Sequence, residues 1–438
     1  MTFDLVIHNG TILTVNSDFE IIENGIIGIN DGKIALLTAL DEDASPPTAK
    51  DTIDASGGII MPGLINTHTH LPMTLFRGLA DDLPLDVWLN ETIFPAENTH
   101  INSETVRWGT LLACAEMVIS GTTTCCDGYF LENDVAAAVN DFGIRAVLGQ
   151  GVIDYPAPGV PDPAENVEAA KTYVKKWKDI SATIRPSIFC HTPYTCSEET
   201  LKKAKHASKE LGVLFQIHAA ETKNEMDQFL FEHQLTPIHY LDKLGILDQN
   251  TLLVHCVWLN EADMEIIAAR RSNVSHNPES NMKLASGISP LSKLATFDIA
   301  IGLGTDGCAS NNNLDLFQEM DTAAKLHKAS TLDPTVMDAR RILQMATIDA
   351  AKAIGLEDVI GSLETAKQSD IVFVDTNKPH LVPMYHPESH IVYSANGSDV
   401  RDVMVAGNIL VRNGKLLAMD VDEIIDRVNE IAAAIKGS

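Results

Sequence analysis

Two textures of hydrophobic and polar positions divide this chain. From Leu5 to Ile53, short apolar runs alternate with polar positions and are broken by turn signals: DLVIHNGTILTV, then NGIIGINDGKIALL, then DTIDASGG. Asn9-Gly10, Asn24-Gly25 and Asp31-Gly32 each read as a tight turn, because such pairs tolerate the positive φ of a hairpin turn. The same texture returns at SDIVFVDT (369–376) and DVRDVMVAGNILVRNGK (399–415), with Gly407-Asn408 and Asn413-Gly414 as turns. Two β-rich flanks so far apart predict one small β-sandwich domain built from residues 1–57 and 368–420, followed by a C-terminal helix over 421–438.

The interior, residues 58–367, has a different pattern. Short apolar runs alternate with helical stretches, which favours a parallel sheet covered by helices. Eight runs read as strands: GIIMPGLIN (58–66), GTTTCCD (121–127), IRAVLGQGV (144–152), ATIRPSIFCH (182–191), VLFQIHAAE (213–221), TLLVHCVWL (251–259), SNVSHNP (272–278) and DIAIGLGTD (298–306). Helix-like segments lie between them, among them 165–177 and 197–212. Ser197 reads as the N-cap of the second; Thr200 at its third position leaves no reciprocal capping box. Eight βα units predict an α/β fold, a (β/α)8 TIM barrel whose site is built at the C-terminal ends of its strands.

Composition narrows the class without changing that picture. The 438 residues are 45% hydrophobic and 21% charged, and carry a formal net charge of −28. Such an acidic balance argues against a nucleic-acid partner, which calls for clustered Lys and Arg. No apolar run approaches the roughly 20 residues needed to span a bilayer, so no membrane association is expected. The N-terminus lacks the basic start and apolar core of a signal peptide. Seven cysteines, two of them adjacent (Cys125 and Cys126) and none in a CxxC pair, suit buried thiols in a reducing cytoplasm rather than disulfides or thiolate zinc sites.

The histidines give the first chemical reading. Of 15, six fall at or near the C-terminal end of an expected strand: His68, His70, His191, His218, His255 and His276. In His68-Thr69-His70 the two imidazoles are one strand repeat apart and point to the same face. Three histidines (His68, His70 and His218) with Asp306 in GLGTDG make a site for one divalent metal ion of the zinc type, with iron(II) the alternative. Asp306 read alone is equally a turn aspartate before Gly307. Glu221, three residues past His218, suits proton shuttling beside a metal-held water, and His255 ends the sixth strand. Glu97 and His191 are candidate substrate contacts. Two-metal barrels of this type use a bridging lysine at the end of the fourth strand; His191 stands there, so a single metal is expected.

Together PGLINTHTHLPMTLFRGLADDLPLDVWL, HAAET, LVHCVWL, SHNPESNMKLASG and GLGTDGCASNNNLDLFQEM resemble the amidohydrolase superfamily. They are most similar to its branch of 5′-methylthioadenosine/S-adenosylhomocysteine deaminases and related triazine and ammeline chlorohydrolases. The resemblance implies metal ligation by His68, His70, His218 and Asp306, and hydrolytic loss of the adenine amino group. It implies that Glu221 protonates the ring nitrogen, Asp306 takes the proton of the attacking water, and His255 steadies the hydroxide. Glu97 would bind ribose hydroxyls, His191 the nucleoside, and Trp88 would flank the purine. One departure concerns substrate choice. Where relatives that accept S-adenosylhomocysteine use arginines near the third strand, this chain has Gln150 and no arginine from 146 to 184. Without that charge-assisted pair a carboxylate-bearing substrate loses its strongest anchor. The expected substrate is therefore 5′-methylthioadenosine or another uncharged adenosine, ahead of S-adenosylhomocysteine. Triazine or ammeline turnover and guanine deamination are the alternatives, and a homo-oligomer is expected.

Overall fold

In the computed structural model the described residues are 2–41 and 44–436; residues 1, 42 and 43 of the expected end domain, and 437 and 438 of the expected terminal helix, lie outside them. Eight parallel strands form the barrel: β1 (Leu64–Thr69), β2 (Thr122–Tyr129), β3 (Arg145–Val152), β4 (Ile184–Cys190), β5 (Phe215–Ala219), β6 (Thr251–His255), β7 (Asn273–His276) and β8 (Ile301–Leu303), each beside its neighbour in sequence. Barrel strands are covered by helices outside and by each other inside. That is why β2 and β3 are buried at every position and read as continuous runs rather than alternating ones. β8 and β1 meet through Thr67 Oγ1, which donates to Leu303 O at 2.9 Å, and Asp306 N, which donates to His68 O at 3.0 Å.

The chain ends build a second, nine-stranded sheet. Its N-terminal and C-terminal contributions join where Ile59–Pro62 runs antiparallel to Ile371–Val374, with Ile60 opposite Phe373. Leu5, Ile7, Ile27, Ile53, Phe373 and Met404 form part of its own apolar core. A buried fork ties the sheet to the barrel: Arg145 at the start of β3 donates to both oxygens of Asp370 at 2.8 and 3.0 Å. The terminal helix, Val421–Lys436, packs against the helix Ser103–Ile119.

Three expectations are corrected here. The run 58–66 is two strands: it breaks at Gly63, Ile59–Pro62 joining the end sheet and Leu64–Thr69 the barrel. Asn9-Gly10 and Asn24-Gly25 are not turns. They lie inside continuous strands, Gly10 opposite Gly25 beside register shifts, so the positive φ of Asn9 and Asn24 makes bulges. Asp31-Gly32 is a hairpin turn as read, with φ of 48° and 71°. Ser197 caps its helix as expected, accepting from Thr200 N at 3.3 Å. Among the described residues no helix is long and apolar enough to cross a membrane.

Candidate active site

His68 and His70 straddle the end of β1, His218 lies within β5, and Asp306 follows β8. Their polar atoms converge. His68 Nε2 is 3.1 Å from His218 Nε2, and Asp306 Oδ1 is 3.4 Å from both His68 Nε2 and His70 Nε2. Ligands held about 2.0–2.1 Å from one ion at tetrahedral angles stand about 3.3–3.4 Å apart, so these three separations suit a zinc-sized ion, and the ligand atoms of His68, His70 and Asp306 all lie within 4.8 Å of one another. His70 Nδ1 donates to Gly128 O at 2.6 Å, which leaves its Nε2 lone pair facing the cluster. Burial lowers the pKa of all three imidazoles, that of His68 to about 4, and so favours the neutral form that binds metals. Burial alone would raise the Asp306 carboxyl, but the contact with His68 and the imidazoles around it hold it well below the usual range.

Asp306 is fixed by two donors: Gly307 N to Oδ1 and Ser280 Oγ to Oδ2, each at 2.7 Å. The Phe189 ring floors the cluster, 5.1 Å from the His218 ring. Gly128 has to be glycine, since a Cβ there would stand 2.5 Å from Phe189. Asp306, His255 and Ala220 adopt φ of 63°, 75° and 54°. Such backbone costs about 1–3 kcal/mol at each non-glycine residue and gathers at functional sites.

Beside the cluster stand Glu221 and His255, with Glu221 Oε2 3.7 Å from His255 Nε2. His255 Nδ1 donates to Asn281 Oδ1 at 3.0 Å, which turns its Nε2 toward Glu221. Burial raises the Glu221 carboxyl, which favours holding a proton there. The loop is anchored by Glu225, whose carboxylate accepts the backbone N–H groups of Ala220 and Glu221 at 2.9 and 2.8 Å. A second alignment brings His255 into the metal neighbourhood: its ligand atom, with those of His68 and His218, lies within 4.8 Å of one another.

The remaining candidates line the approach. Glu97, on the helix Phe94–His100, accepts from Tyr129 Oη at 2.5 Å, and burial pushes its carboxyl up to about 7. His191 shares a hydrogen bond between Nδ1 and Thr195 Oγ1 at 2.9 Å and lies 5.4 Å, ring to ring, from His218. Trp88 is buried in the wide turn Trp88–Ile93 and faces the same cavity. That inner cavity shares Phe94, Glu97, Ile153, His191 and Tyr194 with an outer one of about 930 Å³. Neither is lined by a lysine or arginine among the described residues.

Two expectations fail. His276 leaves the cluster: its Nε2 lies 2.9 Å from Nε2 of His327 on the covering helix Leu316–Thr331, since it faces the outside of the barrel. Gln150 does not occupy an arginine's place in the cavity. Its side chain accepts from Glu132 N at 3.3 Å, and the next residues, Gly151 and Val152, line the cavity instead. Ser280, Asn281 and Tyr129 also hold side chains of this site, by contacts to Asp306, His255 and Glu97. The first two lie in SHNPESNMKLASG, just past β7, a position that marks the segment but not which of its side chains matter.

The comparisons with known proteins agree along the full chain. The amidohydrolase family profile matches residues 59–410. A 5-methylthioadenosine/S-adenosylhomocysteine deaminase of Syntrophobacter fumaroxidans is 46% identical over 99% of this chain and 98% of its own length. A 5′-deoxyadenosine deaminase of Methanosarcina mazei is 43% identical over 98% of each. The crystal structure of an adenosine deaminase from Xanthomonas campestris with bound zinc superposes with a TM-score of 0.97 at 34% identity, covering 100% of this chain and 99% of that one.

Proposed function

Because the chain belongs to the amidohydrolase family, we propose that it is a metal-dependent deaminase of adenosine-type nucleosides, releasing ammonia and the inosine analogue. The observation that carries this reading is the convergence of His68, His70, His218 and Asp306, with His68 Nε2 3.1 Å from His218 Nε2 and Asp306 Oδ1 3.4 Å from His68 and His70, and with Glu221 and His255 beside them. A divalent ion held by those four groups, zinc or iron(II), would act as a Lewis acid and lower the pKa of water there.

The chain's own residues supply the rest. Glu221, its carboxyl raised by burial, gives a proton to the purine ring nitrogen beside C6 as water oxygen adds to that carbon. Asp306 accepts the water's proton, held in place by Ser280 and Gly307. His255, fixed by Asn281, steadies the oxygen as it bonds to C6. The proton on Asp306 passes to the amino group, the C6–N bond breaks as the C6 hydroxyl gives its proton back to Glu221 and becomes the carbonyl, and ammonia leaves. Glu97 accepts from ribose hydroxyls, His191 contacts the nucleoside, and Trp88 packs on the purine.

The cavities favour 5′-methylthioadenosine or 5′-deoxyadenosine over S-adenosylhomocysteine. Leu85, Leu89, Phe94, Phe130 and Ile153 offer apolar surface, and among the described residues no lysine or arginine lines either cavity to pair with a carboxylate. The relatives' names support the wider class of adenosine-type substrates, one naming 5-methylthioadenosine and S-adenosylhomocysteine and the other 5′-deoxyadenosine. Comparing kcat/KM for 5′-methylthioadenosine and S-adenosylhomocysteine tests this choice. We expect the first to exceed the second by at least about tenfold, the value of one charge-assisted hydrogen bond. Equal values would overturn the substrate choice and leave the deaminase reading intact.

A further inference from the structure

Two acids that the mechanism does not use, Asp127 and Glu132, lie behind the metal cluster, and both are 0% exposed. Asp127 stands opposite Thr69 in the β1–β2 ladder, next to where His68-Thr69-His70 leaves the strand. Its Oδ1 accepts from Leu71 N at 2.6 Å, and the carbonyl of the next residue, Gly128, accepts from His70 Nδ1 at 2.6 Å. One dipeptide thus holds both the His70 ring and the peptide that follows it.

Asp127 Oδ2 and both Glu132 oxygens have no N–H or neutral O–H donor among the described residues; the two carboxyls face one another. Burial pushes both upward, Asp127 to about 8, and the neighbouring Asp127 adds to the rise of Glu132, which favours a proton held between them. Gln150 fixes the Glu132 backbone by accepting its N–H at 3.3 Å. A buried pair of acids is poor material for packing, because apolar residues of similar volume often stabilise as well or better. Its value has to lie in what it orients.

We infer that Asp127, braced by Glu132, is a positioning residue that fixes His70 and thereby tunes the affinity of the site for its metal. The inference rests on the metal-site reading above. Partners that orient a metal-bound histidine typically change affinity by about 10–100-fold when lost.

Zinc competition against a chromophoric chelator tests it, alongside thermal unfolding of the metal-free protein. Asp127→Ala is expected to weaken zinc binding at least about tenfold, and Asp127→Asn to restore most of that, since the amide oxygen still accepts from Leu71 N. Both metal-free variants are expected to unfold within a few degrees of each other. Where Asp127→Ala yields no folded protein, Glu132→Ala serves, leaving Asp127 in place without its brace; at least about a fivefold loss is expected. Wild-type zinc affinity in a folded Asp127→Ala or Glu132→Ala variant would overturn the inference, as would failure of Asp127→Asn to recover binding. If the wild-type chain itself held no zinc, the metal-site reading would fall instead.

Discussion

The Nε2 atoms of His68 and His218 stand 3.1 Å apart although 150 residues separate them in sequence. Both imidazoles are driven by burial toward the neutral form, the form that binds a cation. Two such nitrogens turned toward each other, with Asp306 Oδ1 3.4 Å away from one of them, form a ligand set whose spacing suits a shared cation. Metal removal therefore has a stability consequence. At free zinc about 1,000-fold above its dissociation constant, the bound ion stabilises the fold by about 4 kcal/mol. Calorimetry with and without a chelator should show a clear fall in Tm on stripping, recovered by zinc. An unchanged Tm would contradict a metal held by folded ligands.

Glu221 separates proton transfer from metal binding. It sits 3.7 Å from His255, and its atoms are in neither set of converging ligand atoms. Glu221→Gln is expected to retain metal and lose about 10²–10⁴ of kcat. Metal content and turnover measured on the same preparation check this, and full activity would remove Glu221 from the mechanism.

Ser280 reaches the reaction through Asp306, to which it donates at 2.7 Å. Loss of a hydrogen bond to a charged group is worth about 1.5–3 kcal/mol, so Ser280→Ala should lower kcat by about ten- to a hundredfold. KM for the nucleoside should change little, because Ser280 does not line the cavity. A change confined to KM would reassign it to substrate binding.

Glu97 gives a pH dependence whose sign follows from burial. Its carboxyl is raised from 4.5 to about 7 in the folded chain, so between those values the native state binds the proton that the unfolded state has lost. Stability from this group is therefore fully present below pH 4.5 and lost as pH rises through 7. Glu97→Gln cannot ionise, so its Tm relative to wild type should improve from pH 5 to pH 8. A constant difference across that range would show that Glu97 does not titrate as its burial implies.

Much of the architecture was legible because barrel strands have few alternatives. All eight apolar runs overlap a barrel strand, and five of the six strand-end histidines face the cavity or the ligand cluster. His276 shows the limit of that rule. Alternation decides whether a side chain points into the barrel or out to a helix, and near a four-residue strand the register is not readable from sequence. Asn9-Gly10 and Asn24-Gly25 carry the local chemistry of turns, but a bulge uses the same positive φ, and only the opposing strand distinguishes them. Ser280 and Asn281 were hidden for another reason: their importance lies in contacts to Asp306 and His255, which no local pattern encodes.

The central claim is hydrolytic deamination of an adenosine-type nucleoside, and ammonia release tests it most directly. The zinc-loaded protein should be assayed against adenosine, 5′-methylthioadenosine, S-adenosylhomocysteine, guanine and a chlorotriazine, with chloride release followed in parallel. The account predicts stoichiometric ammonia and the matching inosine analogue, fastest from 5′-methylthioadenosine or another uncharged 5′-substituted adenosine. Ammonia from guanine alone, or chloride from the triazine without ammonia from any adenosine, would contradict it.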